Sequence, residues 1–440
     1  MEAKVPPATS PWHPSHRALV KGSVKACAAS TVPLSVLLIL AQLIFLGSGW
    51  APDTQYARIR VAVLDLDGSL VGGALRGASA HLPFSVTTYT NLTMNAGSLT
   101  AAVNRGDFHA GLLAVQGATG TLAAALAAAR ANPGSPFSYD ATAAVQFIYD
   151  EGRLGPSLGA LLRSVVTQLI GGVSAAAEQA MMGSPAPVIA PAVSFSLINL
   201  HPVPHAGMAL SAGISYIVCW ITMLAATQVM LEVYNPWEKA GIHPAWIVFA
   251  RVLHEVAVSL CLSFWPPCVN QWLGDKLHGD KFFAFWAYVW LSMLTFGMCI
   301  TALMRCACLP APTVSLLLTV PPSTLRLLGP KIGSLVHLVF LILNLVSSGS
   351  ITAMELEPPF FQIGMGLPFY NAVAGTRTIL FGSYNHLGRN VGVLFAWVGL
   401  SWALAATRLL RLHLKSKAQP TVEAADEPPP GADGMEKGEA

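Results

Sequence analysis

The sequence predicts an α-helical integral membrane protein with six transmembrane helices, arranged one plus five, and an extracytoplasmic α/β domain inserted after the first. Composition is the first reason: 53% of the 440 residues are hydrophobic and only 11% are charged, against roughly 25% charged in ordinary soluble chains. Distribution is the second: residues 207–410 are almost continuously apolar, whereas residues 51–206 have the mixture of an ordinary domain. Length is the third, because the apolar stretches approach the run of about 20 residues needed to cross the hydrocarbon core.

Residues 1–25 read as a cytoplasmic tail carrying Lys4, Arg17, Lys21 and Lys25. Residues 26–47 contain no charge and form the first span, with Pro33 in its first third. Signal peptides usually have shorter apolar regions that start nearer residue 1, so a retained anchor is expected.

Residues 48–206 form the external domain. Arg58–Leu66 reads as a strand closed by the turn Asp67–Gly68, and Phe84–Thr88, Phe108–Val115 and Ala143–Tyr149 as further strands. Leu70–His81, Leu99–Arg105 and Thr119–Ala129 read as helices. Leu158, Leu161, Leu162, Val165, Val166, Leu169, Ile170 and Val173 share one face of another helix. Alternating strands and helices imply a small α/β domain. Pro185, Pro187, Pro191, Pro202 and Pro204 mark the segment that returns the chain to the membrane.

Residues 207–412 are expected to form a five-helix membrane domain, with spans at 207–231, 245–268, 282–304, 335–353 and 391–410. Between the third and fourth of these, Cys308–Pro330 is apolar but broken by prolines, and reads as a connection on the cytoplasmic side or a partly inserted segment. Residues 355–382 carry Pro358, Pro359, Gly364, Gly366 and Pro368 and read as a re-entrant or interfacial hairpin on the outer face. Irregular backbone at membrane depth must be buried in protein or line water. Residues 413–440 form a disordered cytoplasmic tail.

Lys/Arg bias in short loops sets orientation. Lys239, Arg305, Arg326, Lys331 and the basic residues from Arg408 onward join the N-terminal four on one side, while Lys276, Lys281, Arg377 and Arg389 fall on the other. Both termini are therefore expected in the cytoplasm, with the chain in a plasma membrane or endomembrane. Asn91–Leu92–Thr93 is a sequon on the outer side, making Asn91 a candidate N-glycosylation site.

Several function classes find no support. The net charge is +3 and no Lys/Arg run suits nucleic acid. None of the seven cysteines lies in residues 51–206, which excludes a disulfide framework there. The chain has no G-x-x-x-x-G-K-[ST], H-E-x-x-H or G-x-S-x-G, so no catalytic residue, cofactor or metal is expected. The run Asp65-x-Asp67–Gly68 is too short for a calcium loop and reads as a turn at a strand end. Pro202 and Pro204 break the helix that would align His201 with His205.

The informative polar group is Arg251, His254 and Glu255 in the third span. Arg251 and Glu255 are four apart and share a helix face. Ionisable residues inside a membrane usually face the bundle interior or a cavity. The other reading is that they snorkel to the interface. That suits Arg251, about 10 Å from the helix start, better than Glu255, about 15 Å in.

Three stretches carry a family resemblance: Val61–Gly68 with Gly72–Gly73; Phe147–Arg153, which includes Glu151 and Arg153; and Glu357–Phe361 followed by Leu367–Pro368, Arg377 and Phe381–Ser383. Asn199–Pro202 adds to them. In these features the chain resembles the fungal nitrosoguanidine-resistance membrane protein family and, more distantly, the phage-infection-protein group of type 2 ABC permeases. The resemblance implies structural roles for Asp65, Asp67, Glu151, Arg153, Pro358, Pro359, Pro368, Arg377 and Gly382. It also implies a homodimer in the lipid bilayer and a role in export, drug tolerance or lipid distribution. A type 2 permease would need a separate ATPase subunit. The alternative is a membrane scaffold or receptor whose external domain binds a partner.

Overall fold

The computed structural model describes residues 52–90, 93–131, 139–181, 191–203, 206–239, 244–272, 277–305, 332–383 and 386–418. The expected first span at 26–47, Asn91, the proline-broken stretch 308–330 and most of the C-terminal tail lie outside the described residues.

The N-terminal part is a five-stranded sheet wrapped by helices. Its elements are β1 (Arg60–Asp65), α1 (Leu70–Ser79), β2 (Ser85–Thr90), α2 (Ala96–Arg105), β3 (Ala110–Ala114), α3 (Ala118–Ala131), β4 (Val145–Tyr149), α4 (Glu151–Met181) and β5 (Phe195–Asn199). The strand order is β2-β1-β3-β4-β5. All neighbours are parallel except β3 and β4. Side chains alternate across a strand, and here both faces are covered. Val61, Val63, Leu112 and Phe147 pack with α1, α3 and α4, while Ala62, Leu64, Leu113 and Ile148 pack under Leu99 and Val103 of α2. Two buried faces explain why β3 is apolar throughout and β1 is apolar from Val61 to Leu64.

Strand β5 was not expected, because it lies in the proline-marked return segment; it pairs in parallel with β4. Helix α4 is interrupted at Gly155, whose φ is +68°. Its stretch Ser157–Ala180 is long and apolar enough to cross a membrane. Yet Leu158, Leu162, Val166, Ile170, Val173 and Ala177 are buried in the cluster that covers the sheet.

The C-terminal part is helical: α5 (Ala206–Lys239), α6 (Pro244–Leu262), α7 (Trp265–Trp272), α8 (Asp280–Arg305), α9 (Ile332–Val346), α10 (Pro368–Phe381) and α11 (Leu387–Ala418). Five stretches in the described chain are long and apolar enough to span a membrane: Ser157–Ala180, Ala212–Tyr234, Trp246–Trp272, Asp280–Met304 and Leu387–Thr407. Helix α8 lies at the centre and touches α5, α6, α7, α9, α10 and α11. Glycine permits one close approach here: Gly375 of α10 faces the Tyr288 hydroxyl, which donates to Asn371 O at 2.5 Å. Exposed Ile214, Val218 and Ile221 on α5 and Phe395, Leu400 and Trp402 on α11 form outward apolar faces, as contact with lipid requires.

Three boundaries differ from the sequence reading. The expected span 335–353 stops at Val346. Ser348 Oγ donates to Leu345 O at 2.6 Å, and Gly349 turns the chain at φ +67°; serine hydroxyls compete with the helix ladder in this way. The third span breaks between Leu262 and Trp265, just ahead of Pro266 and Pro267, which lack amide donors. Helix α11 runs on through Ala418, so residues 413–418 of the expected tail are helical.

The tightest fit in the sheet domain tests the packing. A Cβ at Gly72 would overlap the Asp65 carboxylate, whereas one at Gly73 would meet nothing. Gly72→Ala is expected to lower the thermal unfolding midpoint of the full chain in mild detergent, at a cost of ~1–3 kcal/mol. Gly73→Ala should leave it unchanged or raise it slightly, since alanine favours helix by up to about 1 kcal/mol.

Candidate functional site

The second and third motif stretches meet in space, at the junction between the sheet domain and the helices, while Asp65–Gly68 of the first lies at the other end of β1. At the end of β4, the Arg153 amide donates to Asp150 Oδ1 at 3.1 Å, capping α4, and His201 Nδ1 lies 3.0 Å from Asp150 Oδ2. Glu151 Oε2 accepts from Asn199 Nδ2 at 2.7 Å and from the Val203 amide at 3.3 Å. Arg153 reaches back to Phe108 O and Gly106 O. Arg377 of α10 donates to Arg153 O at 3.5 Å and to Gly349 O at 3.0 Å. A Cβ at Gly152 would lie 2.7 Å from Phe381 Cβ.

The prolines and glycine of the third stretch shape the hairpin. Pro358 precedes a 3-10 helix that begins at Pro359, Pro368 opens α10, and Gly382 closes α10 at φ +72°. In the first stretch, Asp65 takes the Arg76 guanidinium at 3.0 Å. Asp67 accepts from the Thr119 amide and hydroxyl and joins α1 to the start of α3. Burial pushes the Asp67 carboxyl up, but its hydrogen bonds from Thr119, Gly72 and Ser69 outweigh that and hold it below the usual value. Among the described residues no group of His, Cys, Asp and Glu could hold a metal ion.

The hairpin is also tied directly to the sheet domain. Arg58 Nη1 donates to Glu357 O at 2.8 Å. His109 accepts from the Arg60 amide through Nδ1 and places Nε2 3.3 Å from Glu355 Oε1. Burial would raise the Glu355 carboxyl, yet the His109 hydrogen bond and charge, with help from Arg153, bring it down to about 2. Glu357 goes the other way: burial and the negative Glu355 push it up to about 8. Its side chain is fully buried, and neither oxygen accepts a hydrogen bond among the described residues.

Between these parts lies a cavity of about 250 Å³. Arg60, Arg153, Arg377 and Arg389 line it, with Glu355 as its acidic residue and Met365 on its wall. Arg60 and Arg389 are exposed, so the cavity opens to the surface beside them. The family resemblance implies structural roles for Arg153 and Arg377. The sequence reading passed over Arg60, His109, Glu355 and Arg389 as functional residues, because each sits on a different element and no spacing links them.

The second polar group lies inside the helical bundle. Arg251 and Glu255 of α6 are 6% and 3% exposed, so neither side chain lies at the bundle surface. The Arg251 guanidinium sits over the Tyr234 ring of α5, 5.7 Å from its centroid, and His254 meets the same ring edge-on. The Glu255 carboxylate faces α8 where Gly297 leaves room, beside Met223 of α5. Glu255 Oε1 and the hydroxyls of Thr227 and Thr301 are buried without a hydrogen-bond partner among the described residues. Thr301 is one turn from Gly297 on α8, as Arg251 is one turn from Glu255 on α6.

The profile of a family described as "Protein of unknown function (DUF3533)" matches residues 30–403. The chain belongs to the DUF3533 family. No curated protein and no solved structure matches it. The DUF3533 match takes in the sheet domain, the hairpin and the helices together, so the junction lies wholly within the family's region.

The buried Glu357 makes a pH prediction. The folded chain keeps a proton on Glu357 up to about pH 8, while the unfolded chain releases it near 4.5. Its contribution to stability is therefore full below pH 4.5 and is lost as pH rises through 8. The thermal midpoint of the full chain should fall by several degrees between pH 5 and pH 9, and Glu357→Gln should flatten that slope. An equal slope in both proteins would contradict a buried, protonated Glu357.

Proposed function

We propose that this DUF3533 protein moves amphiphilic or small molecules across or out of a membrane, as an exporter or a factor in lipid distribution. The observation that carries the reading is the burial of two ionisable side chains inside the bundle, Arg251 over Tyr234 of α5 and Glu255 at the Gly297 gap of α8. Charges held in an apolar bundle are costly, and where they occur they commonly mark substrate or ion pathways. In this reading the chain has six spans, counting residues 26–47, and works as a homodimer. The sheet domain sits outside and both termini are cytoplasmic.

Helix α5 runs to Lys239 and α6 begins at Pro244, which leaves little chain for docking an ATPase. That favours an ion-coupled or passive route over one driven by a separate ATPase subunit. The resemblance to nitrosoguanidine-resistance proteins and to type 2 permeases supports the general class of activity, not a substrate.

The test is transport by the full chain reconstituted in vesicles, with a fluorescent phospholipid analogue and a cationic dye as probes. Wild-type protein should move at least one probe faster than protein-free vesicles do. Glu255→Gln, which keeps the side chain's size, should slow that movement about tenfold, the scale of losing one hydrogen bond to a charged group. Transport by Glu255→Gln at the wild-type rate would remove Glu255 from the path. No transport by folded wild-type protein would leave the scaffold or receptor reading in its place.

A further inference from the structure

The arginine-lined cavity at the junction has a chemistry of its own. Its four guanidinium groups come from four elements: Arg60 from β1, Arg153 from α4, Arg377 from α10 and Arg389 from α11. They converge on one space whose acidic lining residue is Glu355, itself engaged by His109. The acceptors described for Arg60, Arg153 and Arg377 are backbone carbonyls, of Gly106, Phe108, Arg153 and Gly349. Glu355 acts on Arg153 and Arg377, but four guanidinium groups around one carboxylate leave an excess of positive charge. Several like charges around one cavity repel each other, and the species that relieves the repulsion is an anion. Guanidinium forks match phosphate oxygens in geometry as well as in charge.

Position and surroundings narrow the source of that anion. Arg389 lies two residues into the apolar stretch Leu387–Thr407, so the cavity sits at the end of a membrane-length helix. That is the level of lipid head groups; basic pockets between helices hold such head groups on the cytoplasmic face, and the same guanidinium chemistry serves on the face that carries the sheet domain. Met365 lines the cavity and is also 44% exposed. Phe360 and Ile363, on the same 3-10 helix, are exposed as well. Exposed apolar surface thus adjoins the cationic cavity at Met365, which suits a molecule with a phosphate at one end and hydrocarbon at the other. The volume of about 250 Å³ accepts a head group and leaves the chains outside.

We propose that this cavity binds a phosphate group, and that its occupant is the head group of an anionic phospholipid. The inference deepens the reading of a lipid-handling protein by naming a ligand class. It uses neither Arg251 nor Glu255, so its failure and the failure of the transport test are separate outcomes. Arg153 and Arg377 hold the junction together and are poor probes. Arg60 and Arg389 are exposed and can be changed with less risk to the fold.

The experiment is a binding titration of the full chain in mild neutral detergent, read by native mass spectrometry. The probes are short-chain phosphatidylglycerol, short-chain phosphatidylcholine and sodium phosphate, each added alone and the last also as a competitor. Wild-type protein is expected to prefer phosphatidylglycerol to phosphatidylcholine by about tenfold or more, with binding that weakens as salt rises. Arg60→Gln and Arg389→Gln should each weaken it roughly two- to fivefold, as for one partly exposed ion pair. The double variant should lose more than either alone. Arg130→Gln, on the exposed face of α3 and away from the cavity, should bind as wild type does. Inorganic phosphate that binds as tightly, with the same dependence on Arg60 and Arg389, would support the phosphate site but overturn the lipid as its occupant. Equal affinity for the two lipids overturns the proposal, as does a folded double variant that binds phosphatidylglycerol like wild type.

Discussion

The guanidinium of Arg377 is the pin on which the two halves of the molecule turn. It leaves α10, among the bundle helices, and donates to the carbonyl of Arg153 in the first turn of α4 and to that of Gly349 after α9. Both acceptors depend on left-handed backbone nearby. Gly155 breaks α4 at φ +68° just past Arg153, and Gly349 itself turns at φ +67°. A side chain at Gly155 would meet Arg377 Nη2 at 3.0 Å. The pin therefore requires a glycine on each side of it. The other ties follow the same seam: Arg58 to Glu357, His109 to Glu355, and Phe381 packed where Gly152 has no side chain.

Much of the fold was legible in the sequence, for reasons that periodicity captures. Strands β1, β3 and β4 fell close to their expected places because each is a short apolar run, and helix α4 because its apolar residues recur on one face. Strand β5 was missed because Phe195–Asn199 is five residues long, lies among prolines and pairs with a strand fifty residues earlier. Helix α9 ends before the expected boundary at 353, because hydropathy cannot see the serine hydroxyls and Gly349 that end it. Helix α4 shows the same limit from the other side. Its hydropathy suits a membrane, and only the sheet beside it shows where its apolar face goes.

The candidate sites differ in the same way. Arg251, His254 and Glu255 stood out because charge is rare in an apolar run, and a sequence shows that directly. The fold adds that both Arg251 and Glu255 are buried among the bundle helices. The arginine cavity had no such signal. Arg60 opens a strand and Arg389 follows a loop, and on a page each looks like an ordinary solvated charge. Their meaning comes from the fold, which brings four elements to one place.

Strand β5 also bears on how the protein is made. It closes the sheet beside β4, yet it follows the whole of α4 in the chain, and residues 200–205 alone separate it from α5. Until Phe195–Asn199 have emerged from the ribosome, β4 has an open edge and α4 covers an unfinished sheet. Open edges of this kind invite pairing with the wrong strand, and domains fold as units in the order they are synthesised. The sheet is thus completed at nearly the moment the first helix of the bundle begins to appear, so assembly of the two halves is coupled in time as well as in space.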